Sequence, residues 1–288
     1  MKWGVPPKKP LIMKRFSSVI LLMFFSSSFG SAQTISGKII DANDKQALPY
    51  INIGIIGKGI GTVSDIDGKF TLNLHDSLNS QTLKFSCIGY KSQSFIVREF
   101  RKKLNDNSIL ISLDQNTFTL SQVVVKPKLL KTKVLGNKNN NKSAMAGFKS
   151  NDLGSEMGTI MKIKKAPTHI ENVNFNIAKN EITNLKFRVN IYSMKNGQPD
   201  SILLKEPIYV TTSITSGTLS VDMKKYNIWI DTDFFVSLEW IEDFGPNKLY
   251  FCVGLMDSNS MWRKTSQDKW QKATPVGIGF NSTVTYEK

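Results

Sequence analysis

Few side chains in this 288-residue sequence are of types that do chemistry unaided. His75 and His169 are the two histidines, so a histidine-based zinc centre is thinly supplied. His169-Ile170-Glu171 also lacks the spacing of zinc peptidase motifs, which set two histidines on one helix face. No Gly-x-Ser-x-Gly elbow occurs to hold a serine nucleophile. A carboxylate pair able to cleave a glycosidic bond would have to come from Asp231, Asp233, Glu239, Glu242 and Asp243. Acidic residues around a strand and its turns are expected instead to form a solvated face. The sequence thus predicts no catalytic residue, no metal site and no cofactor.

Aromatic residues are the better candidates for binding. Met261-Trp262-Arg263 and Lys269-Trp270-Gln271 flank the polar stretch Lys264 to Asp268. A hairpin there would display Trp262 and Trp270 beside Arg263 and Asp268, and sugars stack their C–H faces on such rings. The competing expectation, and the favoured one, is that one or both tryptophans pack inside the fold, as Trp229 and Trp240 on their strands are expected to do.

The elements that must position these residues are strands. Ile35 to Asp41, Pro49 to Ile55, Thr62 to Ser64, Phe70 to Leu74, Thr82 to Cys87, Ser92 to Val97 and Ile109 to Leu113 are rich in β-branched and aromatic residues, with turn residues between them. Gly57-Lys58-Gly59-Ile60-Gly61 fails as a phosphate loop, because strand rather than helix follows, and is expected to be a turn. Asp65-Ile66-Asp67-Gly68 resembles the start of a calcium loop, but the closing Glu is missing. It reads as a turn in which the aspartates cap their own backbone and Gly68 takes positive φ.

Taken in order, Ile35-Ser36-Gly37-Lys38-Ile39-Ile40-Asp41, Leu48-Pro49-Tyr50-Ile51-Asn52-Ile53, Gly61-Thr62-Val63-Ser64-Asp65, Gly68-Lys69-Phe70 and Phe85-Ser86-Cys87-Ile88-Gly89-Tyr90 resemble the carboxypeptidase-like regulatory domain. That family is common in envelope proteins of Bacteroidetes-type bacteria. The resemblance covers about residues 34–114 and implies a seven-stranded, transthyretin-like or Ig-like β-sandwich used as an accessory module, without peptidase chemistry. Leu120-Ser121-Gln122-Val123-Val124-Val125 is similar to the segment joining this module to the plug of TonB-dependent receptors. No plug or barrel follows here, so receptor function is not implied.

Beyond about Leu153, strands are expected again at Thr159 to Lys164, Val173 to Ile177, Leu185 to Tyr192, Ile208 to Thr212, Thr218 to Val221, Phe234 to Trp240, Tyr250 to Leu255 and Val276 to Tyr286. Regular spacing and the alternation in Lys186-Phe187-Arg188-Val189-Asn190-Ile191-Tyr192 predict a second β-sandwich, jelly-roll-like.

Composition agrees with an all-β globular protein: 40% of residues are hydrophobic and 21% charged, with 19 Gly and 10 Pro, which excludes a disordered or collagen-like chain. Lys14 and Arg15 precede the apolar run Val19 to Phe25 and the small residues Gly30-Ser31-Ala32, the order of a secretory signal peptide over residues 1–32. No Cys follows the small residues, which argues against a bacterial lipoprotein. Export to the periplasm, the outer membrane or the cell surface makes nucleic acid a poor partner for the net charge of +15.

Much of that charge is local. No acid occurs from Gln115 to Ser150, where Lys126, Lys128, Lys131, Lys133, Lys138, Lys142 and Lys149 lie. Residues 115–152 therefore read as a basic linker, with Lys126, Lys128, Lys131 and Lys133 available for peripheral contact with an anionic surface. The domains expected are 33–114 and 153–288. Cys87 and Cys252, one in each, are expected to be buried free thiols. The function expected is non-enzymatic binding of an envelope protein or polysaccharide. The alternative is a carbohydrate-binding module, or a glycan or peptide hydrolase accessory, in the C-terminal domain.

Overall fold

The computed structural model describes residues 32–116, 129–148, 153–255 and 259–288. Lys126, Lys128 and the signal segment up to residue 31 lie outside these residues. The first domain comprises β1 (Ala32–Asp41), β2 (Asn52–Ile55), β3 (Gly61–Val63), β4 (Lys69–His75), β5 (Thr82–Ser86), β6 (Gln93–Ile96), a five-residue helix α1 (Val97–Arg101) and β7 (Ser108–Leu113). The second comprises β8 (Leu130–Gly136), β9 (Met145–Phe148), β10 (Glu156–Met161), β11 (Thr168–Asn180), β12 (Leu185–Lys195), β13 (Gln198–Ile202), β14 (Ile208–Thr212), β15 (Gly217–Asp222), β16 (Trp229–Ile230), β17 (Phe234–Trp240), β18 (Leu249–Leu255), β19 (Ser260–Arg263), β20 (Gln271–Lys272), β21 (Val276–Ile278) and β22 (Phe280–Glu287).

Each domain is a β-sandwich. In the first, β4-β1-β7 faces β3-β2-β5-β6. Alternation decides which side is in: along β4, Phe70, Leu72 and Leu74 are buried while Lys69, Thr71, Asn73 and His75 are exposed. These residues meet Ile35, Ile39, Ile53, Leu83, Phe85 and Phe100 in one apolar cluster, each buried large side chain contributing about 1.5–3 kcal/mol. The turn at residues 65–68 forms as the sequence predicts. Asp65 Oδ1 accepts from the amides of Asp67 and Lys69 at 2.9 and 2.8 Å, and Gly68 has φ +73°. A Cβ there would stand 2.5 Å from the Ile39 carbonyl oxygen, so glycine is required twice over.

In the second domain one sheet runs β13-β12-β17-β10-β19-β20, with β14 also on β12. The other runs β21-β18-β11-β22-β8, with β15 and β16 on β11 and β9 on β18. The core between them holds Phe187, Val189, Val236, Leu238 and Trp240 from one side and Phe175, Phe251 and Phe280 from the other. Phe280 meets Phe175 and Phe251 edge to face, both at 4.7 Å.

The described parts of the basic segment 115–152 do not form a linker. Strand β8 pairs with β22 along seven residues, from Leu130 opposite Glu287 to Gly136 opposite Asn281, and β9 pairs with β18. Leu135 and Phe148 anchor them in the core. Strand β8 lies at the edge of its sheet, where charged side chains, lysine above all, are common, which is why so polar a stretch can be a strand. The second domain thus begins earlier than residue 153. Both cysteines are free; Cys252 is buried and Cys87 half-buried.

Candidate functional site

One face of the seven-stranded sheet looks at the first domain, and charged residues stand in register across it. Arg188 lies opposite Glu239, Glu239 opposite Glu156, and Glu156 opposite Arg263, on β12, β17, β10 and β19. Residues directly opposite in antiparallel strands share a face, so the four make a single row in the order Arg, Glu, Glu, Arg. Glu156 and Glu239 are 0% exposed and Arg188 2%.

Arg188 Nε donates to Glu239 Oε2 at 2.9 Å, and Arg263 donates to Glu156 Oε2 from Nε at 2.9 Å and from Nη2. The Asn190 amide bridges the carboxylates, Nδ2 donating at 2.9 Å to Glu156 Oε1 and at 2.8 Å to Glu239 Oε2. The Ser237 hydroxyl also donates to Glu156 Oε1. Two like charges face to face would repel; here each has its own guanidinium and both share a donor. Burial alone would lower the pKa of Arg188, but Glu239 overrides it and raises it; Glu156 does the same for Arg263.

Arg188 also reaches out of its domain. Nη1 donates to the Tyr50 carbonyl at 2.8 Å and Nη2 to Asn52 Oδ1, both at the start of β2. Beside it, the Tyr50 hydroxyl donates to Glu242 and accepts from Lys186 Nζ at 3.1 Å, while its ring meets Tyr209 at 5.1 Å. A second docking contact is the loop after β19. Gln267 accepts from the Gly57 amide at 2.8 Å and donates from its side chain to Ser86 at 2.8 Å. Gly54 and Gly61, paired across β2 and β3, leave room for it: a Cβ on Gly54 would come within 3.1 Å of Gln267 and one on Gly61 within 3.2 Å of Thr265.

A hairpin displaying Trp262, Arg263, Asp268 and Trp270 together, the less favoured of the two expectations, does not form. Neighbours in a strand point to opposite faces, so Trp262, 38% exposed, turns away from Arg263. Trp270 joins Arg263 instead, with the guanidinium 4.4 Å from its ring, and packs on Phe235 at 4.9 Å and Tyr192 at 5.8 Å. Asp268 lies in the docked loop, where its Oδ2 would be 3.1 Å from a Cβ on Gly59. Trp240 is core as expected, whereas Trp229 is half-buried and meets the His169 ring at 4.8 Å in a tilted contact.

The solvated acidic face is also corrected. Glu239 is fully buried, Glu242 binds Tyr50, Asp233 accepts from the Ile163 amide at 2.9 Å, and Asp231 is exposed. The carboxylate that partners Glu239 is Glu156, which no sequence motif marks; its one signal is a charge at the head of the apolar strand Met157 to Met161. Among the described residues no group of three or more His, Cys, Asp and Glu side chains could hold a metal ion. Lys131 is exposed and Lys133 half-buried on edge strand β8, on the face that also carries Leu135.

The first domain has seven strands in two sheets, β4-β1-β7 and β3-β2-β5-β6. Residues 35–125 match the CarboxypepD_reg-like domain. A stretch of 135 residues is 28% identical to TonB-dependent receptor P3 of Formosa agariphila, covering 46% of this chain and 13% of the receptor. The chain therefore spans a small part of that relative's length. Among solved structures, the cysteine protease and lectin-like domains of Cwp84, a surface layer associated protein of Clostridium difficile, align over 55% of this chain and 36% of theirs, at 11% identity and a TM-score of 0.42. A structure of the infectious bursal disease virus Gx strain aligns over 89% of this chain and 55% of its own at 10% identity and a TM-score of 0.26. In this chain the domain that matches the CarboxypepD_reg-like family docks on the buried ionic row.

Proposed function

We propose that the chain is a non-enzymatic binding or accessory module of the bacterial cell envelope, exported and serving a protein or polysaccharide partner. The observation that carries this reading is the use made of Glu156 and Glu239. They are two carboxylates that the sheet sets face to face, yet each holds an arginine, and Arg188 fastens the row to the CarboxypepD_reg-like domain. A glycosidase needs one carboxyl free to protonate a leaving group and another reachable by water or sugar. Similarity to part of a TonB-dependent receptor and the signal-like N-terminus support the envelope as its location. Lys131 and Lys133 on the edge strand add a peripheral contact with anionic lipid head groups to the proposal.

The test is to express the tagged chain in a bacterial host with a comparable envelope, fractionate the cells, and assay the purified protein against glycan and peptide substrates. Recovery with the envelope and no turnover is expected. Recovery in the cytosol would overturn the reading, as would hydrolysis that Glu239→Gln removes while the fold persists.

A further inference from the structure

Beside the ionic row the two domains enclose a cleft of about 340 Å³, at the small end of the ~300–1,000 Å³ typical of ligand pockets. Asn190, Tyr192 and Ser266 line it from the second domain, and Ser86, Tyr90 and Ser92 from the first. Asn190 is 1% exposed, and its orientation is fixed. Exchanging its amide oxygen and nitrogen would aim a carbonyl oxygen at two carboxylates. Its Nδ2 therefore faces Glu156 and Glu239, and its Oδ1 is left without a partner.

One more polar atom of the lining shares that condition. Ser266, also in the lining and 4% exposed, has an unpartnered Oγ. A buried acceptor left unmatched costs about 1–3 kcal/mol. Such atoms call for donors from outside the protein, and the charges decide of which kind. Arg188 and Arg263 are neutralised within the row, and the remaining charged groups of the lining, Lys84 and Asp200, are of opposite sign. With the row and the rest of the lining each balanced in charge, neither an anion nor an ammonium group finds a net counter-charge there, and an anion would also meet the lone pairs of Asn190.

We infer that this cleft binds a neutral hydroxylated ligand, a sugar ring, whose O–H groups donate to Asn190 Oδ1 and exchange hydrogen bonds with Ser266. The tyrosines of the lining, Tyr90 and Tyr192, supply aromatic surface for its C–H groups. This inference rests on the binding-module reading and names its ligand class.

The test is ligand-observed NMR on the full mature chain with glucose, galactose, mannose and xylose, with glucuronate as the anionic control. Two variants accompany it: Ser92→Trp, at an exposed position of the cleft lining, to block entry, and Ser266→Ala to remove the unpartnered hydroxyl. At least one neutral sugar should bind. Ser92→Trp should abolish that binding and Ser266→Ala weaken it about tenfold, the loss of roughly one hydrogen bond, both with unchanged Tm. Absence of binding by all four neutral sugars, preference for glucuronate, or binding that Ser92→Trp leaves intact would overturn the inference. A chain that binds no sugar but still fractionates with the envelope loses the cleft assignment and keeps the module reading.

Discussion

Glu156 and Glu239 stand directly opposite each other on neighbouring antiparallel strands, both fully buried, with the Asn190 amide donating to both. The arrangement holds because an arginine caps each end of the pair. It gives the sheet a polar ridge against which the first domain docks through Arg188. The docking domain supplies the last acceptors, the Tyr50 carbonyl and Asn52, so the row is complete only when the two sandwiches are together.

Removing one member should therefore cost far more than a surface ion pair. Arg188→Met leaves Glu239 buried without its cation, and we expect a loss of about 3–5 kcal/mol in chemical denaturation. Arg188→Met combined with Glu239→Leu should recover a large part of that loss, because no lone charge then remains buried.

The two candidate tryptophans should separate cleanly. Trp270→Ala strips packing from Phe235, Tyr192 and the Arg263 guanidinium and should cost about 2 kcal/mol, less than a fully buried aromatic. Trp262→Ala, at a half-exposed position, should cost about 1 kcal/mol or less. Thermal melts of the two variants side by side check the difference.

The contrast between those tryptophans shows what the sequence makes legible. Alternation along Lys69 to His75 and along Leu185 to Tyr192 identifies the strands and their faces, and the Asp65 to Gly68 turn follows from local chemistry. Arg188 and Asn190 are visibly the polar side of a strand. Solvent is the simplest destination for such a side, and nothing local reveals that another domain covers it. The ionic row depends on three strand registers linking positions 156, 188, 239 and 263, and long-range register leaves no trace in any one segment. The strand β8 is hidden for a related reason: Leu135 is its one buried anchor, amid lysines and asparagines.

Acid should weaken the first domain through Asp41. Hydrogen bonds from the Gln115 side chain, the Asn43 amide and the Tyr90 hydroxyl hold its carboxyl below the usual range against the opposing effect of burial. Tyr90, pushed up to about 12 by burial and by Asp41, keeps its proton throughout. A lowered carboxyl pKa stabilises fully above the ordinary value of ~4 and is lost as pH falls through the lowered one. Asp41→Asn should therefore be less stable than the wild-type protein at neutral pH, and the gap should close in acid, as read by urea midpoints across pH.

The basic edge should answer to lipid charge. Lys131→Glu with Lys133→Glu should reduce co-sedimentation with phosphatidylserine vesicles, leave neutral phosphatidylcholine vesicles unaffected, and mimic the effect of raised salt. Equal binding of wild type and variant would remove the lipid contact from the proposal.

The most direct test of the central claim, that the ionic row makes one unit of two sandwiches, follows both domains through a single unfolding titration. The tryptophans beyond residue 33 (Trp229, Trp240, Trp262 and Trp270) all lie in the second domain, and Cys87 lies in the first. Tryptophan fluorescence and labelling of Cys87, read by peptide mass spectrometry, then report one domain each. Coincident midpoints in the wild-type chain that separate in Arg188→Met are the expected result. Labelling of Cys87 at lower denaturant than the fluorescence change, already in the wild type, would contradict it.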